Sequence, residues 1–166
     1  MSKFSVVSII RNHIQTLVDY NTSKLSKYDV TASFVLPLVI SLLFLCFGRI
    51  INALIVGRLL TAFSVFAALM LNLLFVIYSV KSREKTKNDK DIDKLKIKLL
   101  NETNSNIQFE ILIAIFVIII LIIFLFIPNI AWLVRLLSFL TLYLVFVFVV
   151  TLFMILKRTA TIMAKD

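Results

Sequence analysis

The chain has 166 residues, 61% of them hydrophobic and 16% charged, whereas a soluble domain is roughly 45–50% apolar and about 25% charged. It cannot cover itself with polar groups, so part of its solvent is lipid. One cysteine, Cys46, and one histidine, His13, exclude a disulfide framework, a thiolate cluster and an imidazole zinc set, and the formal charge of +9 reads, in so hydrophobic a chain, as the basic loops of a membrane protein.

Residues 1–31 are polar, and the first apolar run comes late, so no cleavable signal peptide is expected and the whole chain is expected to be retained. Within them Phe4, Val7, Ile10, Ile14, Leu17 and Val18 recur at helical spacing, with Lys3, Arg11 and Asp19 between them. This is the pattern of an amphipathic helix, which either lies on the inner leaflet or packs against the protein's own loops. His13 is expected on its polar face.

A bilayer-crossing helix needs about 20 mostly apolar residues. Four stretches qualify: Ala32 to Ile51, with Pro37 near its start and Gly48 and Arg49 near its end; Leu59 to Val80; Ile111 to Ile127, extended by Ile107 to Glu110; and Ile130 to Leu156. After Lys81 the second span is expected to run on as a charged helix, because no Gly or Pro stops it before Asn101. Ile92, Leu95 and Leu99 give that helix a narrow apolar stripe, widened by Ile97 and Leu100. Ser105 and Gln108 have capping-box spacing, which places a helix boundary near Asn106. Pro128-Asn129 then makes spans three and four a tight hairpin.

Basic residues in short loops stay cytoplasmic. Fifteen of the 18 lie in residues 1–31, in the connection from Lys81 to Glu110 and in the tail after Leu156, and all nine acids fall there too. Both termini and the central connection are therefore expected in the cytoplasm. The expected fold is all-α and integral to the membrane. A cytoplasmic amphipathic segment (1–31) precedes a transmembrane hairpin (32–80), a charged cytoplasmic helical connection (81–106), a second hairpin (107–156) and a cytoplasmic tail (157–166).

The membrane cores contain no Asp, Glu, Lys or His, and Glu110 is placed at the cytoplasmic edge of span three. This argues against a proton-driven exporter. No nucleophile–base constellation points to an enzyme, and no cofactor or metal site is expected. One polar feature remains in the second span, where Thr61, Ser64, Ala68, Asn72 and Ser79 fall on one helical face. That stripe is either a packing seam between spans or subunits, or the lining of a water-filled path in a homo-oligomer. Span three, without a polar side chain from Ile111 to Ile127, is expected to face lipid. On the outer side Arg49, Arg58 and Arg135 have no acidic partner; they either snorkel to lipid phosphates or form a cationic ring at a pore mouth. In the cytoplasm Lys90, Ile92, Lys94, Leu95, Lys98 and Leu99 form a candidate docking surface for a cytosolic partner protein or for anionic lipid. The acids Glu84, Asp89, Asp91 and Asp93 disfavour direct nucleic-acid binding. Arg58-Leu59-Leu60-Thr61 and Arg135-Leu136-Leu137-Ser138, 77 residues apart, suggest an internal duplication.

The stretch Leu60-Thr61-Ala62-Phe63-Ser64-Val65-Phe66-Ala67-Ala68-Leu69 running into Ser79-Val80-Lys81-Ser82-Arg83, in a chain of two hairpins joined by a charged connection, resembles small four-span bacterial phage-exclusion proteins. The membrane subunits of the Rex exclusion system and of the Kiwa defence system are the points of similarity. The resemblance implies a membrane component of antiviral defence, acting beside a soluble sensor or effector, that either depolarises the cell or organises a defence complex. Two functions follow as expectations: an oligomer that opens an ion-permeable path, or a non-conducting anchor or sensor that recruits a cytosolic partner.

Overall fold

The structure, a computed structural model, describes residues 6–17, 27–48, 51–86, 94–127 and 130–163. Among them every regular element is helical: α1 (Val6–Gln15), α2 (Lys27–Val30), α3 (Leu36–Cys46), α4 (Ala53–Thr86), α5 (Lys94–Phe126) and α6 (Ala131–Met163). Three of these, α4, α5 and α6, are long and apolar enough to cross a membrane. At 1.5 Å per residue each is about 50 Å long, well beyond a hydrocarbon core of about 30 Å.

The first apolar stretch is shorter. It forms one continuous helical piece, Thr31–Cys46, whose first five residues, Thr31–Val35, are π-helical. Proline explains the widened turn. Pro37 has no N–H to give to Ser33, and the Leu36 amide reaches back five residues to the Thr31 carbonyl instead. Gly48 ends α3 in the left-handed region at φ 67°, which a residue with a Cβ resists, while the Phe47 and Gly48 amides close the last turn on Leu43 and Leu45. Asn52 then opens α4 as its cap, with Oδ1 accepting from the Ile55 amide at 2.9 Å.

A seven-residue period organises the long helices. The buried residues of α4 are Val56, Phe63, Met70 and Ile77, each seven from the next. On α5, Leu100, Ile107, Ala114 and Leu121 are also seven apart and fully or almost fully buried. The members of both series pack into two shared clusters, Val56 and Phe63 with Ala114 and Leu121, and Met70 and Ile77 with Leu100 and Ile107. This is a coiled-coil-type antiparallel seam. Three residues on from that series, Thr103, Glu110 and Val117 are fully buried, matched on α6 by Thr141, Phe148 and Ile155. Thus α5 carries two seams and stands at the centre, with α4 on one side and α6 on the other.

This arrangement corrects the expected lipid-facing position of span three. Ile113, Ala114, Val117 and Leu121 are core residues. Only the far side of α5, with Ile115, Phe116, Ile119, Ile122 and Ile123, is exposed. An all-aliphatic helix satisfies a protein interior as readily as lipid, and only its neighbours distinguish the two.

The two arms of the first expected hairpin do not pack on each other. Although α3 and α4 are consecutive, α3 packs along α6, and α4 along α5, so the order in space is α3–α6–α5–α4. Phe148 of α6 also reaches Phe63 and Phe66 of α4, at ring separations of 4.9 and 5.4 Å. Three contacts trace α3 and its flanks along α6: Ser33 Oγ to Met154 Sδ at 3.6 Å, the Phe44 ring to Phe146 at 5.8 Å, and the Ile51 amide donating to Ser138 Oγ at 3.2 Å. The chain from Ser33 to Ile51 therefore passes from the end of the bundle that holds Met154 to the end that holds Ser138.

The boundary expected near Asn106 is absent, since α5 is continuous from Lys94 to Phe126. Ser105 Oγ donates to the Asn101 carbonyl and Thr103 Oγ1 to that of Leu99, bonds made within a helix rather than at its start. Burial of Leu100 and Ile107 against α4 carries the helix through. The charged continuation expected of the second span is helical as far as Thr86, and residues 87–93 lie outside the described residues. The proposed duplication does not preserve environment either: Thr61 is exposed, while Ser138 is fully buried.

Candidate functional site

Two sets of polar side chains stand out in this apolar bundle, and they sit on opposite sides of the α4–α5 seam. The first is the stripe read from the sequence. Thr61, Ser64, Ala68, Asn72 and Ser79 are all exposed on α4. None contributes to a seam within the protomer, because the seven-residue series Val56, Phe63, Met70, Ile77 turns the opposite face inward. Three hydroxyls satisfy themselves along the helix: Thr61 donates to the Gly57 carbonyl at 3.1 Å, Ser64 to Leu60 at 2.8 Å and Ser79 to Phe75 at 2.9 Å. Asn72 has no such recourse, and its amide has no hydrogen-bond partner among the described residues.

The second set is buried where α1, α5 and α6 meet, and residue spacing alone does not single it out. His13, expected on a polar face, is fully buried. Its ring stacks on Phe109 with centroids 3.8 Å apart and planes 8° from parallel, and Phe34 meets it edge-on at 6.3 Å. Nδ1 lies 3.0 Å from Asn106 Oδ1, so the tautomer protonated at Nδ1 donates to it. Thr16 Oγ1 is 2.8 Å from both that same amide oxygen and the His13 carbonyl. At the end of α6, Arg158 Nη2 donates to the Thr16 carbonyl at 2.7 Å and lies 3.6 Å from Glu102 Oε2. One arginine thus ties together α1, α5 and α6. Residues 6–15 are helical, as the spacing predicts. α1 packs by His13, Thr16 and Leu17 while Val6, Val7, Ile10 and Ile14 stay exposed.

This cluster contains orphaned groups. His13 Nε2, Asn106 Nδ2, Arg158 Nη1 and both carboxyl oxygens of Glu110 are buried without a hydrogen-bond partner among the described residues. Burial pulls the His13 pKa from 6.5 down to about 4, opposed by the Asn106 hydrogen bond and assisted by the Arg158 charge. Glu110 is fully buried on the central helix, α5. Further along the α5–α6 seam, Ser138, Thr141 and Thr151 are also fully buried. Their signal was present in the sequence as buried-face residues in register with Phe148 and Ile155. A hydropathy window does not see it, because isolated hydroxyls scarcely change the average.

The remaining candidates divide. Arg58 and Arg135 are exposed, and Arg49 lies outside the described residues. Arg135 borders a cavity of about 700 Å³, together with Ile51, Asn52 and Phe124. Of the residues expected to form a docking surface, Lys90 and Ile92 lie outside the described residues, and Lys94 and Leu95 are helical without described side chains. Lys98 is exposed. Leu99 is turned inward, packing on the cluster of Met70, Ile77 and Leu100. The apolar stripe read there is thus partly consumed by the protomer's own α4. Among the described residues no group of His, Cys, Asp and Glu is arranged to hold a metal ion. No family model, curated protein or solved structure matches the chain.

Proposed function

We propose that the protein is an oligomeric inner-membrane component of a bacterial antiphage exclusion system, in which α4 helices from several copies assemble around an ion-permeable path. The observation that carries this reading is the exposed face of α4, with an unpartnered amide, Asn72, midway along an apolar helix. A side-chain amide facing hydrocarbon without a partner costs several kcal/mol on an alkane reference, while interhelical hydrogen bonds in membranes return about 0.6–2 kcal/mol each. A second copy presenting the same face supplies the partner, and the small side chains Ser64 and Ala68 permit close approach. In this reading the chain crosses four times: the apolar piece from Thr31 to Cys46, which packs along α6, counts as a crossing beside the three long helices, and both termini then fall on one side, which the basic residues mark as cytoplasmic. The place in phage exclusion rests on the resemblance of span two and its basic stop to the Rex-type and Kiwa-type membrane subunits.

Reconstitution tests this directly. Purified protein in liposomes, with its activator if one is required, is expected to release a small dye or carry current, and Asn72→Leu is expected to reduce both the conductance and the oligomer seen by native mass spectrometry. Wild-type protein that stays monomeric and silent under these conditions overturns the reading.

A further inference from the structure

Glu110 occupies the middle of the α5–α6 seam, in the series Thr103, Glu110, Val117 that faces Thr141, Phe148 and Ile155. Its side chain is fully buried, it forms no ion pair among the described residues, and neither carboxyl oxygen has a hydrogen-bond partner there. An ionisable group inside a membrane bundle is expensive and marks a functional position unless a structural partner accounts for it. Here no structural partner does.

The surroundings of Glu110 are asymmetric. Toward the end of the bundle that carries α1, polar groups follow at short intervals. Asn106 lies one turn away, about 6 Å along the helix, with its Nδ2 also unpartnered. Asn106 Oδ1 is 2.8 Å from Thr16 Oγ1. Thr16 in turn lines a cavity of about 220 Å³ whose other walls, Asn12, Gln15, Asn101, Glu102 and Ser105, are all polar. Toward the opposite end Ile113, Val117, Val147 and Phe148 close the way. The next buried polar atom on that side, Thr141 Oγ1, sits opposite Val117, about 10 Å further on.

We propose that Glu110 is a proton-binding carboxyl inside the bundle, loaded and unloaded through the polar trail Thr16–Asn106 from the end that carries α1. The chemistry is the simple exchange of a proton between water in the cavity and the carboxyl; no other reactant is needed. The titratable and charged groups on the surrounding elements are His13 on α1, Tyr143 and Arg158 on α6 and Glu102 on α5 itself, while α4 has no charged residue between Arg58 and Lys81. This site lies within one protomer and stands whether or not α4 assembles into a path.

Dicyclohexylcarbodiimide, a lipid-soluble reagent that modifies protonated carboxyls, tests the assignment on full-length protein in lipid nanodiscs, with adducts located by peptide mass mapping. The expected result is an adduct on Glu110 that a water-soluble carbodiimide does not form, that Glu110→Gln abolishes, and whose yield falls about tenfold per pH unit once the carboxyl titrates. If Glu110→Gln does not fold, peptide mapping of the wild type still locates the adduct. Absence of an adduct on Glu110, or a yield that does not change with pH, overturns the proposal.

Discussion

His13 shows how far one side chain can depart from its helical-wheel address. Stacked on Phe109 and bonded to Asn106, it is held neutral, with its pKa pulled down to about 4 chiefly by burial. The unfolded chain binds the proton near 6.5, so docking of α1 is at full strength above that value. It weakens as the pH falls from about 6.5 toward 4, by at most roughly 3 kcal/mol. Thermal unfolding in detergent is expected to show this acid-side loss in the wild type. His13→Phe keeps the stack, removes the titration and is expected to flatten the dependence over the same window. Glu110 makes a complementary prediction. Replacing an unpartnered buried polar group by an apolar one of similar size removes its desolvation cost, so Glu110→Leu is expected to raise stability by about 1–3 kcal/mol. A fall in melting temperature for that variant would show that the carboxyl has a structural partner after all.

At the scale of elements, the seven-residue series decides which helices meet. Phe63 of α4 packs in the same cluster as Ala114 of α5 and lies 4.9 Å from the ring of Phe148 on α6, so a large residue fills the space that a small one leaves. Phe63→Ala is expected to cost about 3–5 kcal/mol by opening a cavity at the junction of three helices. Ala114→Leu is expected to cost about 1–3 kcal/mol by overpacking the same place. Equilibrium unfolding of the two variants checks both magnitudes, and the double variant is expected to recover part of the loss because the volumes compensate. The elements also show what was legible beforehand. Helix type and approximate position for α4, α5 and α6 follow from apolar length alone, and the grouping of the α4 stripe on one face follows from helical spacing. The break expected at Asn106 fails because a local capping pattern competes with two buried seams, and the seams dominate. The packing of α3 on α6 and not on α4 was not legible, because adjacency in sequence constrains a connection, not a packing partner.

For the whole molecule, the three-way tie at Arg158 and the passage of α3 along α6 place α1 and the end of α6 at one end of the bundle, and Ile51, Ser138 and Arg135 at the other. Cysteines introduced at Ser8 and at Ala160, in a Cys46→Ser background, are expected to react with a membrane-impermeant maleimide only from the cytoplasmic side, and one at Asn52 only from the outer side. Opposite labelling of Ser8 and Ala160 would mean that the short helix Thr31–Cys46 does not cross.

Composition by itself determined that the chain lives partly in lipid, since 61% hydrophobic residues cannot be hidden from water by a chain of this length. Apolar run length determined where its long helices lie, and the basic residues assigned an expected sidedness. These are averages over many residues, and averages survive without knowledge of contacts. Only the tertiary structure decided that α5 is central, that α3 leans on α6, and that His13, Asn106 and Glu110 are interior while Asn72 is not. Each of those outcomes depends on which face of a helix meets which neighbour. In an apolar helix the faces differ by a single hydroxyl, amide or carboxyl, too little to register until the helices are packed.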